Sequence, residues 1–161
     1  ASGTAPVTGW LSAGIPAGLG TDGAASNNDL DMFEAVRTAA LLHKHATGDP
    51  RAMPARQALE LATRRGAAAL GLGDRIGSLE TGKLADVITV SMSSARQTPL
   101  FDPLSHLVYV TRGTDVRNTI VHGRVLMRQG RVISLNRSAV LQEATAMAEK
   151  VRAAVSRKEG Q

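Results

Sequence analysis

The 161 residues contain no cysteine, so disulfides and thiolate metal sites are excluded, a usage expected of a cytoplasmic protein. With one Trp, one Tyr and two Phe, core volume must come from Leu, Val, Ile, Ala and Met. The net charge of +5 lacks the interleaved aromatics of a single-strand nucleic-acid site, and no apolar run nears the roughly eighteen residues of a membrane span, so neither nucleic acid nor membrane is an expected partner.

Ala1 to Pro6 lack the basic start and apolar centre of a signal peptide. A short helix is expected over Val7 to Ala13, then a small-residue strand, Ile15 to Gly20, ending in the polar turn Thr21-Asp22-Gly23. Ser26, Asn27 and Asn28 are good N-cap material, with Asp29 and Asp31 in a first helical turn at the positive end of the macrodipole. Met32, Phe33, Val36, Ala39 and Ala40 recur at helical spacing, which predicts a helix from about Leu30 to Ala46, stopped by Gly48-Asp49-Pro50. A second helix should begin near Pro54, with Leu59, Ala62 and Ala69 on its inner face and Gly71 or Gly73 at its end.

The period then changes. Leu84 to Val90 reads as a strand after the turn Glu80 to Lys83. Leu107 to Thr111, Val116 to Val121, Val125 to Met127 and Val132 to Leu135 read as further strands. His122-Gly123 and Gln129-Gly130 are the turns between the last three. An amphipathic helix from Ser138 to Arg157 closes the series, and the densest basic run, Arg152 to Lys158, is its solvated end. One strand feeding a helix is an incomplete βα unit, because parallel strands need a sheet covered on both faces.

The run Gly18 to Phe33, with Thr21-Asp22-Gly23-Ala24-Ala25-Ser26-Asn27-Asn28 at its heart, resembles a motif of one amidohydrolase group, the methylthioadenosine/S-adenosylhomocysteine deaminases and the s-triazine chlorohydrolases. Ala58 to Thr63 and Gly66 to Gly71 are similar to that group's last barrel helix. Ile76 to Asp86 resembles its passage into a β-sandwich, and Asp102 to Tyr109 with Val121 to Val125 resemble its closing strands. The resemblance implies an α/β fold: the C-terminal portion of a (β/α)8 barrel over residues 1–76, part of a small β-sandwich over 77–137, and a C-terminal helix over 138–161.

In that group the aspartate at the end of barrel strand eight lies beside a divalent metal, usually zinc. There it takes a proton from the metal-bound water and helps deliver one to the leaving group. The match places this role, catalytic and metal-binding, on Asp22, with Ser26 and Asn28 as weaker candidates for contact with a purine-nucleoside-like small molecule. The group's metal-binding histidines lie on earlier strands, upstream of Ala1. The expectation is therefore the tail of a longer hydrolase, acting by deamination or dechlorination and inactive alone. Its uncovered strand and helix faces predict self-association or pairing with the missing barrel half. The alternative is a non-catalytic assembly module.

The remaining polar residues read as structural. His43-Lys44-His45 spells His-x-His, yet on a helix i and i+2 point to nearly opposite sides, so two solvent-facing histidines are expected. His106 is expected to be structural, His122 to sit on a surface turn, and Asp86 to bond nearby backbone. Ser91 stands where the group often has a further aspartate.

Overall fold

The computed structural model describes residues 3–159; residues 1–2 and 160–161, and the side chains of 158 and 159, lie outside that description. Among the described residues, seven α-helices and four strands follow one another as α1 (Val7–Ser12), α2 (Ala24–Asn27), α3 (Met32–Thr47), α4 (Ala55–Leu61), α5 (Arg64–Ala69), β1 (Val87–Val90), α6 (Pro103–Tyr109), β2 (Val116–Val121), β3 (Arg124–Arg128), β4 (Arg131–Val132) and α7 (Arg137–Glu159).

α3 forms where its apolar spacing places it. Its N-cap is Asp31, whose Oδ1 accepts from the Phe33 amide at 2.8 Å, and not the Ser26 to Asn28 run. That run instead makes the separate turn α2, closed by Asn28 in the left-handed region. Gly48 ends α3 at φ +66, a conformation that suits glycine. The second expected helix is broken at Ala62-Thr63 into α4 and α5. The buried positions are Ala58, Leu61 and Ala67, whereas Leu59 and Ala62 are half-buried and Ala69 is exposed.

Val36, Ala40, Met53, Ala58, Leu61 and Val108 form the core where α3, α4 and α6 meet. Lys44 pins the loop after α3 to this cluster. Its ammonium donates to the carbonyls of Ala52 at 2.7 Å and Met53 at 2.9 Å, and lies 5.9 Å from the Tyr109 ring centre.

Two expected strands are corrected. Leu107 to Thr111 falls mostly in α6, because Asp102 accepts from the Leu104 and Ser105 amides with Pro103 behind it, an N-terminus strong enough to override the β-favouring Val108, Tyr109 and Val110. Residues 15–20 form no strand among the described residues. A parallel strand needs neighbours, and here the segment lies against α4, with the Leu19 amide donating to the Leu61 carbonyl at 3.0 Å. Gly18 makes this approach possible: a Cβ there would meet the Gly66 Cα at 2.7 Å.

The four strands form one antiparallel sheet in the order β1-β2-β3-β4. Val87 faces Ile120 and Thr119 faces Met127 across it. His122-Gly123 and Gln129-Gly130 all take positive φ, the conformation of tight two-residue hairpin turns. The last strand is shorter than the sequence suggests, ending at Val132. α7 runs free of the body: its residues 140–157 are all exposed. No described helix is long and apolar enough to cross a membrane.

Candidate functional site

Asp22 sits between the end of segment 15–20 and α2, in the left-handed region at φ +61. Aspartate tolerates this conformation better than most residues, and such geometry marks a position worth a functional question. Thr21 Oγ1 donates to the Asp22 carbonyl at 3.0 Å, and the Gly23 amide donates to Asp22 Oδ1 at 2.8 Å. The side chain is exposed. The Ser26 hydroxyl, and after it the Gly23 amide, hold its carboxyl below the usual carboxylate range, so it is ionised at neutral pH.

Asp22 opens onto a cleft of about 390 Å³ shared with Ser26, Asn27, Glu34, Leu42 and His43. Asp22 and Ser26 are thus brought together. Asn28 does not line the cleft; it closes α2, its amide donating to the Ala24 carbonyl at 3.0 Å. Two titratable residues join the cleft that the sequence reading did not place there, Glu34 and His43. His43 corrects the expectation of a solvent-facing side chain: it is 5% exposed, and burial lowers its pKa. The signal was present in the spacing, since Val36, Ala40 and His43 fall on one stripe of α3. His45 is exposed, so the helix separates the two histidines, as its geometry requires.

Among the described residues, no three His, Cys, Asp or Glu side chains gather closely enough to hold a metal ion. The cleft's own donors therefore do not fit a divalent metal centre. Any such centre would draw most of its ligands from elsewhere.

Other singled-out residues hold the frame. Asp86 accepts from the His122 amide at 2.7 Å, tying the β2–β3 turn to the start of β1; this is a backbone bond, though across the sheet and not a local one. His106 Nδ1 lies 3.1 Å from the Asp102 carbonyl within α6, and its own carbonyl accepts from Thr111 Oγ1 at 3.0 Å. His122 is exposed on its turn. Ser91 Oγ lies 3.2 Å from Ser93 Oγ, and the Ser91 amide donates to the Asp115 carbonyl. Asp31 spans the molecule: besides capping α3, its Oδ2 accepts from the Gly113 amide at 2.7 Å.

The profile of the amidohydrolase family matches residues 1–126, most of the chain and all of the cleft. The chain belongs to the amidohydrolase family. It is 54% identical over 151 residues to a 5'-deoxyadenosine deaminase of Methanosarcina acetivorans, covering 94% of this chain and 34% of that protein. It is 47% identical over 152 residues to a 5-methylthioadenosine/S-adenosylhomocysteine deaminase of Syntrophobacter fumaroxidans, covering 94% and 35%. Among solved structures, an adenosine deaminase from Xanthomonas campestris with bound zinc superposes with a TM-score of 0.92 at 39% identity, over 94% of this chain and 35% of that one. An atrazine chlorohydrolase from Arthrobacter aurescens TC1 complexed with zinc superposes at 0.80 with 32% identity, over 89% and 32%. This amidohydrolase chain spans about a third of the length of the relatives it matches.

Proposed function

We propose that this chain is the C-terminal third of a metal-dependent amidohydrolase that hydrolytically deaminates an adenosine-type nucleoside. In this reading residues 1–76 complete the barrel, 77–137 belong to a β-sandwich and 138–161 form the closing helix. Deamination is favoured over dechlorination because the deaminases compared above are 39–54% identical, against 32% for the chlorohydrolase. The single observation that carries the reading is Asp22: an ionised, solvent-facing carboxylate held at φ +61 by Thr21 and Gly23, in the mouth of a cleft.

Asp22 is the proton carrier. Attack of water at the carbon bearing the amino group releases a proton, which a carboxylate within hydrogen-bond reach accepts and later gives to the departing nitrogen, leaving ammonia and the carbonyl product. Ser26 sets the carboxyl's orientation and acidity, and Asn28 acts only by closing the α2 turn. A divalent metal, zinc by analogy with the zinc-bound neighbours, would be held by donors of the longer protein together with Asp22 and would supply an activated water. The 161 residues alone are therefore inactive.

The test is to join this chain to the preceding two thirds of the Methanosarcina acetivorans relative and assay 5'-deoxyadenosine deamination. The joined protein should turn over, and Asp22→Asn should lower kcat by about a hundredfold or more with the far-ultraviolet spectrum unchanged. Undiminished turnover by the folded Asn variant would remove Asp22 from the mechanism.

A further inference from the structure

α7 leaves the body of the molecule and exposes an apolar stripe along its length. Val140, Leu141, Met147, Val151 and Val155 are each about half exposed, and Ala144 and Ala148 lie between them. At 3.6 residues per turn these positions fall on one face, and their alternating three- and four-residue steps are those of a helix that seats against another helix. The helix begins soundly, with the Ala139 amide donating to the Asn136 side chain at 3.2 Å. Most helical stability in proteins comes from the packing of an apolar face, not from propensity.

The charges beside the stripe indicate what covers it. Glu143, Lys150 and Arg157 recur every seven residues along one flank. In a parallel pair this row would face Ala148 and Val155 of the other helix and gain nothing. In an antiparallel pair crossing near the middle of α7, the same flank of each copy meets the other. Glu143 then lies level with Arg157, twice by symmetry, at the cost of one central Lys150 pair. We propose that α7 pairs antiparallel with α7 of a second copy of this chain. The inference does not depend on the proposed deamination.

Sedimentation of the 161-residue chain at about 100 μM should show a dimer. Val151→Glu, an exposed position outside the core and the cleft, should raise the dissociation constant by more than about a hundredfold while the body stays folded. Glu143→Lys should weaken pairing by about tenfold, and Arg157→Glu in the same chain should restore it. Because the chain lacks cysteine, an equal mixture of Leu141→Cys and Val155→Cys chains should give a disulfide-linked heterodimer, and Leu141→Cys alone should not. A monomer at that concentration overturns the proposal, as does a dimer indifferent to Val151→Glu, which would be held by another surface. Cross-linking of Leu141→Cys with itself would mean a different alignment of the two helices and also overturns it.

Discussion

In the helical cluster, Val36, Ala40, Met53, Ala58, Leu61 and Val108 are shut away from water, whereas no residue of β1 to β4 is fully buried. The two regions hold their shape by different means. The helices pack side chains into one another at the density of an interior. The sheet relies on its ladder, on two tight turns and on polar ties such as Asn118 Nδ2 to Thr89 Oγ1 at 2.7 Å and Asp86 to the His122 amide. Sheets bury a face against a second layer, and the proposed reading assigns that layer to the rest of the longer protein. The Asp22 cleft lies on the margin of the packed region, where α3 supplies one wall and the opening segment the other.

That contrast can be broken first at its strong end. Leu61→Ala removes a fully buried side chain and should cost about 2–5 kcal/mol in a denaturant titration. Gly18→Ala should follow at roughly 1–3 kcal/mol, because the new methyl collides with the Gly66 backbone, which cannot swing aside as a side chain could. Asp31→Ala should lose roughly 1–3 kcal/mol, removing the α3 cap and leaving the Gly113 amide without its acceptor. At the weak end, Ile88→Thr on the open sheet should change stability by less than about 0.5 kcal/mol. A large loss there would show that the sheet face is covered in solution.

Acid should sharpen the same comparison. Burial alone would raise the Asp115 pKa, but the Arg96 guanidinium and the Arg112 amide outweigh it and hold the carboxyl below its ordinary 3.8. A depressed carboxyl stabilises the fold above its unfolded value and loses that contribution as pH falls through the folded one. The loss therefore lies below about pH 4, and Asp115→Asn should flatten this part of the stability profile.

Much of this was readable from residues, and the failures share a cause. α3, α7 and both hairpin turns were legible because their signals are local: apolar spacing, and His-Gly or Gln-Gly pairs suited to positive φ. The motif around Asp22 singled it out as a candidate, and its side chain lines the cleft. Leu107 to Thr111 was misread because strand propensity was weighed without the Asp102-Pro103 start. Residues 15–20 were misread because a strand exists only through its neighbours, which a local pattern cannot report. His43 was misjudged because its company on the Val36 and Ala40 stripe was overlooked while its distance from His45 was weighed. Glu34 entered the cleft through the tertiary path of the opening segment, which no spacing encodes.

The most direct test of the account is the zinc content of the purified 161-residue chain, measured together with deamination of adenosine, 5'-deoxyadenosine and methylthioadenosine. The account predicts no stoichiometric metal and no turnover, with the activity belonging to a longer protein in which Asp22 takes part. Stoichiometric zinc with turnover would contradict it, because the described side chains would then have to supply a metal centre that their arrangement does not contain.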